Sequence, residues 1–154
     1  MNGINNSLIF RPMNPCDVNE LYDFLNGLSD EVKFFFHPHK FDKNNLINLC
    51  SSKRDHYFVM YLDDKLIGYS MLRFFRHNVP SFGCCIHPDY YRKGYGYKLT
   101  RLTLNIANKL RYKRVVLKVN KKNKIAFNLY KKIGFKIIDK NISKEEIKMA
   151  ITLI

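Results

Sequence analysis

The chain has 154 residues, 46% of them hydrophobic, and a formal net charge of +14. That length suits one domain with a buried core, here residues 1–154, and no apolar run approaches the roughly 18 residues of a membrane span. The N-terminus, Met1-Asn2-Gly3-Ile4-Asn5-Asn6, has neither the basic nor the apolar region of a secretory leader, so a cytoplasmic location is expected.

Taken in chain order, Leu8–Arg11 reads as a first strand. Asn14-Pro15-Cys16-Asp17 starts a helix, with Asn14 as N-cap, Pro15 at N1 and acidic Asp17 in the first turn. Leu21, Phe24, Leu25 and Leu28 mark its apolar face. Three consecutive aromatics, Phe34-Phe35-Phe36, precede a His37-Pro38-His39 turn, where proline pushes His37 out of helical conformation. Asp42 caps a short second helix bearing Leu46, Ile47 and Leu49. Tyr57–Leu62 and Leu66–Phe75 form a hairpin across Asp63-Asp64-Lys65. Ser81–His87 is the next strand, ended by Pro88.

A helix from Gly94 to Arg111 carries Leu99, Leu102, Thr103, Ile106 and Leu110 as its buried stripe. Lys113–Val119 is a strand. Asn123–Ile133 is a helix stopped by Gly134, with Ala126, Leu129, Tyr130 and Ile133 on one face. Phe135–Ile138 and Ile147–Leu153 are the final strands. This order predicts a mixed α/β sheet with a right-handed crossover around the Gly94 helix.

Four cysteines, Cys16, Cys50, Cys84 and Cys85, include no CxxC pair, so no zinc site is expected. Cys84 and Cys85 should point to opposite faces of their strand. They read as buried free thiols, with a cysteine nucleophile as the rival reading.

The segment Tyr90-Tyr91-Arg92-Lys93-Gly94-Tyr95-Gly96 joins an apolar strand to a helix start. Free N–H groups at a helix N-terminus, the macrodipole and nearby glycine together make an anion cradle. The charge distribution agrees. Residues 1–91 hold nine Lys/Arg and ten Asp/Glu, whereas 92–140 hold sixteen Lys/Arg and the single acid Asp139. Such a field suits a phosphate-bearing cofactor, a phosphorylated substrate or nucleic acid.

These residues resemble the GCN5-related N-acetyltransferases, the GNAT family. Ile86-His87-Pro88-Asp89-Tyr90-Tyr91-Arg92-Lys93-Gly94-Tyr95-Gly96 is similar to the family's strand and pyrophosphate loop. Asn123, Ala126, Tyr130 and Gly134-Phe135 are similar to its second signature. One departure is that Tyr91 stands at the usual basic position and Arg92 follows one residue later. The resemblance implies a single α/β domain with a mixed, mostly antiparallel sheet of about six to seven strands, splayed beside the loop and flanked by about four helices. It implies acetyl-CoA as donor, an amine acceptor and no metal.

On that resemblance, the amides of Arg92, Lys93, Gly94, Tyr95, Gly96 and Tyr97 bind the pyrophosphate. Backbone groups of Cys85, Ile86 and His87 pair with the pantetheine arm. Asn123 hydrogen-bonds that arm, with Ala126 beside it. Arg92, Lys93, Lys98 and Lys131 are partners for the phosphates or are solvated surface. Tyr130 is the general acid, since a phenol is protonated at neutral pH; the rival reading is a core tyrosine. The strand before the loop has no acid, so His37 and His39 are candidates for the base. Otherwise they form a structural turn, and no dedicated base exists. His87 either takes part or is structural.

The basic field disfavours polyamines as acceptors. Phe34, Phe35, Phe36, Phe74, Phe75 and Phe82 could stack on a sugar or nucleobase, or simply pack. A nucleotide-linked amino-sugar is the preferred acceptor, with a protein N-terminus or lysine next. A homodimer is allowed, and no membrane partner is expected. The readings outside this class are a nucleic-acid-binding module, which the loop chemistry disfavours, and a CoA sensor without catalysis.

Overall fold

The computed structural model describes residues 7–74 and 78–154. The leader expectation at 1–6 and the strand end at Phe75 lie outside the described residues. Among these, seven strands form one sheet in the order β1-β2-β3-β4-β5-β7-β6. They are β1 Leu8–Pro12, β2 His56–Leu62, β3 Lys65–Arg73, β4 Ser81–Ile86, β5 Arg114–Asn120, β6 Lys136–Asp139 and β7 Glu146–Thr152. All neighbours are antiparallel except β4 and β5, which are parallel. Five α-helices flank the sheet: α1 Val18–Asn26, α2 Asp30–Phe35, α3 Lys43–Cys50, α4 Tyr95–Lys109 and α5 Lys124–Ile133. No helix among the described residues is long and apolar enough to cross a membrane.

Local chemistry explains most element boundaries. Asn14 caps a 3-10 turn, Pro15–Asp17, that runs into α1; its Oδ1 accepts from Cys16 N–H at 2.9 Å. Asp42 Oδ1 accepts from Asn45 N–H at 2.8 Å and starts α3. Asp63, at φ 54°, turns the β2–β3 hairpin. Gly134, at φ 123°, closes α5 in a conformation that L side chains rarely adopt. The fifth helix, α2, departs from the expected order. Ser29 Oγ accepts from Val32 N–H and caps it, but it buries no side chain, so its aromatic run has no helical periodicity to read.

The two faces of the sheet carry separate cores. Leu21, Leu25 and Leu28 near α1, with Leu46 of α3, pack on Val59, Tyr69, Met71 and Cys85. On the other face, α4 and α5 cover Phe82, Val115, Leu117, Val119, Ile147 and Met149. Cys84 and Cys85 therefore point to opposite faces, as strand alternation requires.

The buried face of α4 is rotated from the expected stripe. Leu99, Thr100, Thr103, Leu104 and Ala107 are buried, whereas Leu110 is 43% exposed. The threonines are tolerated because their hydroxyls are satisfied. Thr103 donates to the Leu99 carbonyl and meets Ser70 Oγ, both at 2.8 Å, and Thr100 donates to the Gly96 carbonyl at 2.7 Å.

A second buried polar group ties β1 to the start of α1. Asp17, 2% exposed, receives two bonds from Arg11 at 2.7 and 2.8 Å, the Tyr61 hydroxyl at 2.8 Å and the Asn14 N–H at 2.8 Å. Burial alone would raise its pKa; these donors outweigh burial and hold it below the ordinary carboxylate value.

Candidate active site

β4 and β5 pair at one position, Ser81 opposite Val116, where Val116 N–H donates to the Pro80 carbonyl at 3.0 Å. Beyond it the two parallel strands part, and a gap opens in the sheet. The β3–β4 register shows which groups face that gap. His87 N–H donates to the Ile67 carbonyl at 2.7 Å, so the hydrogen-bonded pairs continue at Tyr69–Cys85 and Met71–Gly83. By antiparallel alternation, Cys84 and Ile86 turn their N–H and C=O groups away from β3 and into the gap. This corrects the expectation for Cys85 and His87. Cys85 faces Tyr69, and the His87 carbonyl accepts from Tyr90 N–H at 2.9 Å. Ile86 and Cys84 are the β4 residues whose backbone groups face away from β3.

The chain leaves β4 through a 3-10 turn, Pro88–Tyr90, which His87 caps by accepting from Asp89 N–H at Nδ1, 3.1 Å. His87 also packs on Phe24 and Tyr90, so its ring shapes the turn. Arg92 at φ 60° and Gly94 at φ 83° then bend the backbone into α4. Nothing lies within 4 Å of a Cβ built on Gly94. Glycine is needed there for its conformation rather than for space. Gly96 serves close approach, since a Cβ there would meet Leu129 at 3.3 Å and Ile86 at 3.9 Å.

No side chain caps α4, and Lys98 is the first residue bonded back to Gly94, at 3.1 Å. The amides of Tyr95, Gly96 and Tyr97 are thus the orphan donors of a helix N-terminus. The exposed side chains of Arg92 and Lys93 flank them, and Lys93 also sits 5.4 Å from the Tyr90 ring centre. Lys131 sits over Phe127 at 5.5 Å on α5. Among the described residues, the ion pairs Arg11–Asp17, Lys65–Asp89 and Arg73–Asp55 all lie outside the basic half. Within the basic half, Lys93, Lys131 and Lys132 lie over aromatic rings instead.

Tyr130, on α5, is 8% exposed and stands edge-on to Phe82 and Phe135, with ring centres 6.1 and 5.7 Å away. Its hydroxyl lies 3.8 Å from Cys84 Sγ. Burial, together with the neighbouring thiols, raises its pKa well above 10, so the phenol keeps its proton. Burial raises the Cys84 and Cys85 thiols too, which disfavours a thiolate nucleophile at either. Asn123 caps α5, its Oδ1 accepting from Ala126 N–H at 3.3 Å. That cap is a structural use of two residues expected to serve a ligand.

The two histidines of the turn separate. His39 is enclosed: Nδ1 donates to the Lys40 carbonyl and Nε2 accepts from the Tyr69 hydroxyl, both at 2.8 Å. Burial lowers its pKa, and Arg73 lowers it further. Arg73 also donates to the Pro38 carbonyl, tying the turn to the end of β3. His37 is exposed, and its Nδ1 donates to the Lys33 carbonyl at 3.1 Å, leaving Nε2 as the basic nitrogen. Phe36 lies over β4, its ring within 4.0 Å of a Cβ built on Gly83. The turn thus sits across the sheet from Tyr130. Sequence did not single out Tyr69, and it read Cys84 as a buried thiol without its contact to Tyr130. Their partners lie 30 and 46 residues away, a distance at which local pattern carries no signal.

A model of the acetyltransferase (GNAT) family matches residues 20–135. The chain belongs to that family. Solved structures repeat the GNAT fold. A PaiA N-acetyltransferase from Thermoplasma acidophilum, in complex with coenzyme A, has TM-score 0.80 and 22% identity over 96% of this chain and 99% of that one. A spermidine N-acetyltransferase from Vibrio cholerae, in complex with CoA and spermine, has TM-score 0.81 and 21% identity over 94% and 95%. A ribosomal-protein-S5-alanine acetyltransferase from Vibrio fischeri has TM-score 0.78 and 14% identity over 94% and 92%. At these identities the likeness is one of fold. A search of curated proteins finds no match.

Proposed function

We propose that this GNAT protein transfers the acetyl group of acetyl-CoA to a primary amine by direct attack within a ternary complex. One observation carries the reading: the uncapped first turn of α4, the β4–β5 gap and the Tyr130 hydroxyl converge at a single strand, β4. Acetyl-CoA supplies an activated thioester. The chain's own groups fit each part of it. Amides of Tyr95, Gly96 and Tyr97, with those of Arg92, Lys93 and Gly94 in the loop, suit the pyrophosphate. Backbone groups of Cys84 and Ile86 suit an extended arm added beside β4. Arg92, Lys93 and Lys131 are placed for phosphates, and Asn123 retains an amide NH₂ for the arm while its oxygen caps α5. Tyr130 holds a proton at the gap for the departing thiolate. His37 is the candidate base; His39 holds the turn.

The acceptor favoured is an amine on an anionic carrier, such as a nucleotide-linked amino-sugar, because the field of the back half is positive. A protein amine is second. The spermidine enzyme among the structural neighbours makes a polyamine the control that tests this preference. The test is a panel of amines (a nucleotide-linked amino-sugar, an alanine-initiated peptide, spermidine) incubated with acetyl-CoA, with release of CoA thiol as readout. Fast release with the sugar supports the reading; fast release with spermidine alone overturns the acceptor class; no release with any amine overturns the enzymatic reading.

A nucleic-acid-binding module is the second reading. Lys98, Arg101, Lys109, Lys124, Lys131 and Lys132 stand on α4 and α5 with no acid on either helix. Salt-steep oligonucleotide binding, without stabilisation by acetyl-CoA, would favour it.

A further inference from the structure

We propose that Cys84 is a positioning residue for Tyr130, an inference that rests on the acid role given to that tyrosine above. A buried phenol normally finds a nitrogen or oxygen partner. Among the described residues, the one polar contact of the Tyr130 hydroxyl is the Cys84 sulfur at 3.8 Å. That sulfur lies 4.0 Å from Thr100 Oγ1. Thr100 has already given its proton to the Gly96 carbonyl at 2.7 Å, so its lone pair faces the thiol. The polarity that satisfies all three groups runs in one direction. Tyr130 O–H points at sulfur, the Cys84 S–H points at Thr100, and Thr100 is anchored to the first turn of α4.

Sulfur is a weak acceptor, and at this separation it orients the phenol without binding its proton tightly. An oxygen or nitrogen acceptor in the same place would hold the proton more tightly, in competition with the leaving thiolate. Cys84 also belongs to β4 and turns its backbone into the gap, so the residue that aims the phenol lines the space where the reacting sulfur is expected. Thr100 couples that aim to the helix turn that holds the anion. Phe82 and Phe135 fix the ring, while Cys84 fixes the direction of the hydroxyl.

The test is a double-mutant cycle read as turnover of acetyl-CoA with the fastest amine of the panel. Cys84→Ala should lower kcat about tenfold, a fraction of the roughly 10²–10⁴ that a positioned acid contributes, with KM for acetyl-CoA unchanged. In the Tyr130→Phe background, Cys84→Ala should have no further effect on kcat. Cys84→Ser, whose oxygen would compete for the phenol proton, should also lower kcat in the Tyr130 protein and not in the Tyr130→Phe background, and provides the folded comparison if the alanine variant is unstable. An equal loss from Cys84→Ala or Cys84→Ser in both backgrounds would make the cysteine a packing residue and overturn the proposal. Unchanged kcat in Tyr130→Phe itself, or no turnover with any amine, would overturn the underlying reading and this inference with it.

Discussion

Replacing Gly94 by alanine isolates the backbone conformation of the loop. Its φ of 83° lies in the left-handed region, and a Cβ there meets nothing within 4 Å. The whole penalty is thus conformational, about 1–2 kcal/mol for an L-residue held there. Two limits follow. If the loop keeps its shape, the free protein loses that stability and affinity is unchanged. If the loop relaxes in the free protein, stability is kept and acetyl-CoA must restore the left-handed turn, so affinity falls. Either way the bound state carries the strain. At saturating acetyl-CoA the melting temperature should fall by roughly 2–8 °C, taking about 2–4 °C per kcal/mol for a domain of this size. Gly94→Asn should lose less, because asparagine tolerates that region. The assay is thermal unfolding with and without acetyl-CoA. A bound-state melting temperature identical in Gly94→Ala and wild type would refute the argument that the anion cradle depends on this conformation.

Tyr130→Phe should reduce kcat by about 10²–10⁴ with little change in KM for acetyl-CoA, measured by thiol release. His37→Ala should alter the acidic limb of the pH–rate profile. His39→Ala should leave that limb in place and lower the melting temperature, because the buried Tyr69 hydroxyl loses its partner, a loss of about 1–3 kcal/mol. His39 also gives stability a pH dependence. Its folded pKa lies below the unfolded 6.5, so its contribution is complete above pH 6.5 and declines as pH falls from there toward the folded value. His39→Gln should remove that part of the slope in urea titrations at several pH values. Arg11→Ala should destabilise by about 3 kcal/mol, the low end for a broken buried pair because Arg11 is partly exposed. Asp17 contributes fully above the unfolded carboxylate value and loses its contribution as pH falls through its depressed folded value, so the acid sensitivity of this variant should shift as well.

Sequence by itself determined the elements whose causes are local. Apolar runs bounded by turn residues marked the seven strands, asparagine and aspartate caps opened the 3-10 turn before α1 and opened α3, and Gly134 ended α5. The glycine pair between a strand and a helix start was legible as a turn into α4, though it took its meaning only together with Asn123, Ala126, Tyr130 and Gly134-Phe135. The helix α2 was not, since a short capped turn with no buried face leaves no periodic trace. Leu99 and Thr103 of the expected α4 stripe are buried, but the stripe is rotated toward Thr100, Leu104 and Ala107, because Thr100 satisfies its hydroxyl on its own helix backbone and Leu110 stays exposed.

Only the tertiary structure decided what the site groups touch. The single β4–β5 pair opens the gap, and the β3–β4 register sends Cys84 and Ile86 into it in place of Cys85 and His87. It also encloses His39 against Tyr69, leaves His37 in solvent, and sets the Cys84 sulfur against the Tyr130 hydroxyl. Apart from His37, whose contact is with Lys33 four residues away, each of these depends on residues far apart in the chain. Local chemistry acts over a few residues, whereas register and packing are settled when the two sheet faces bury their separate cores.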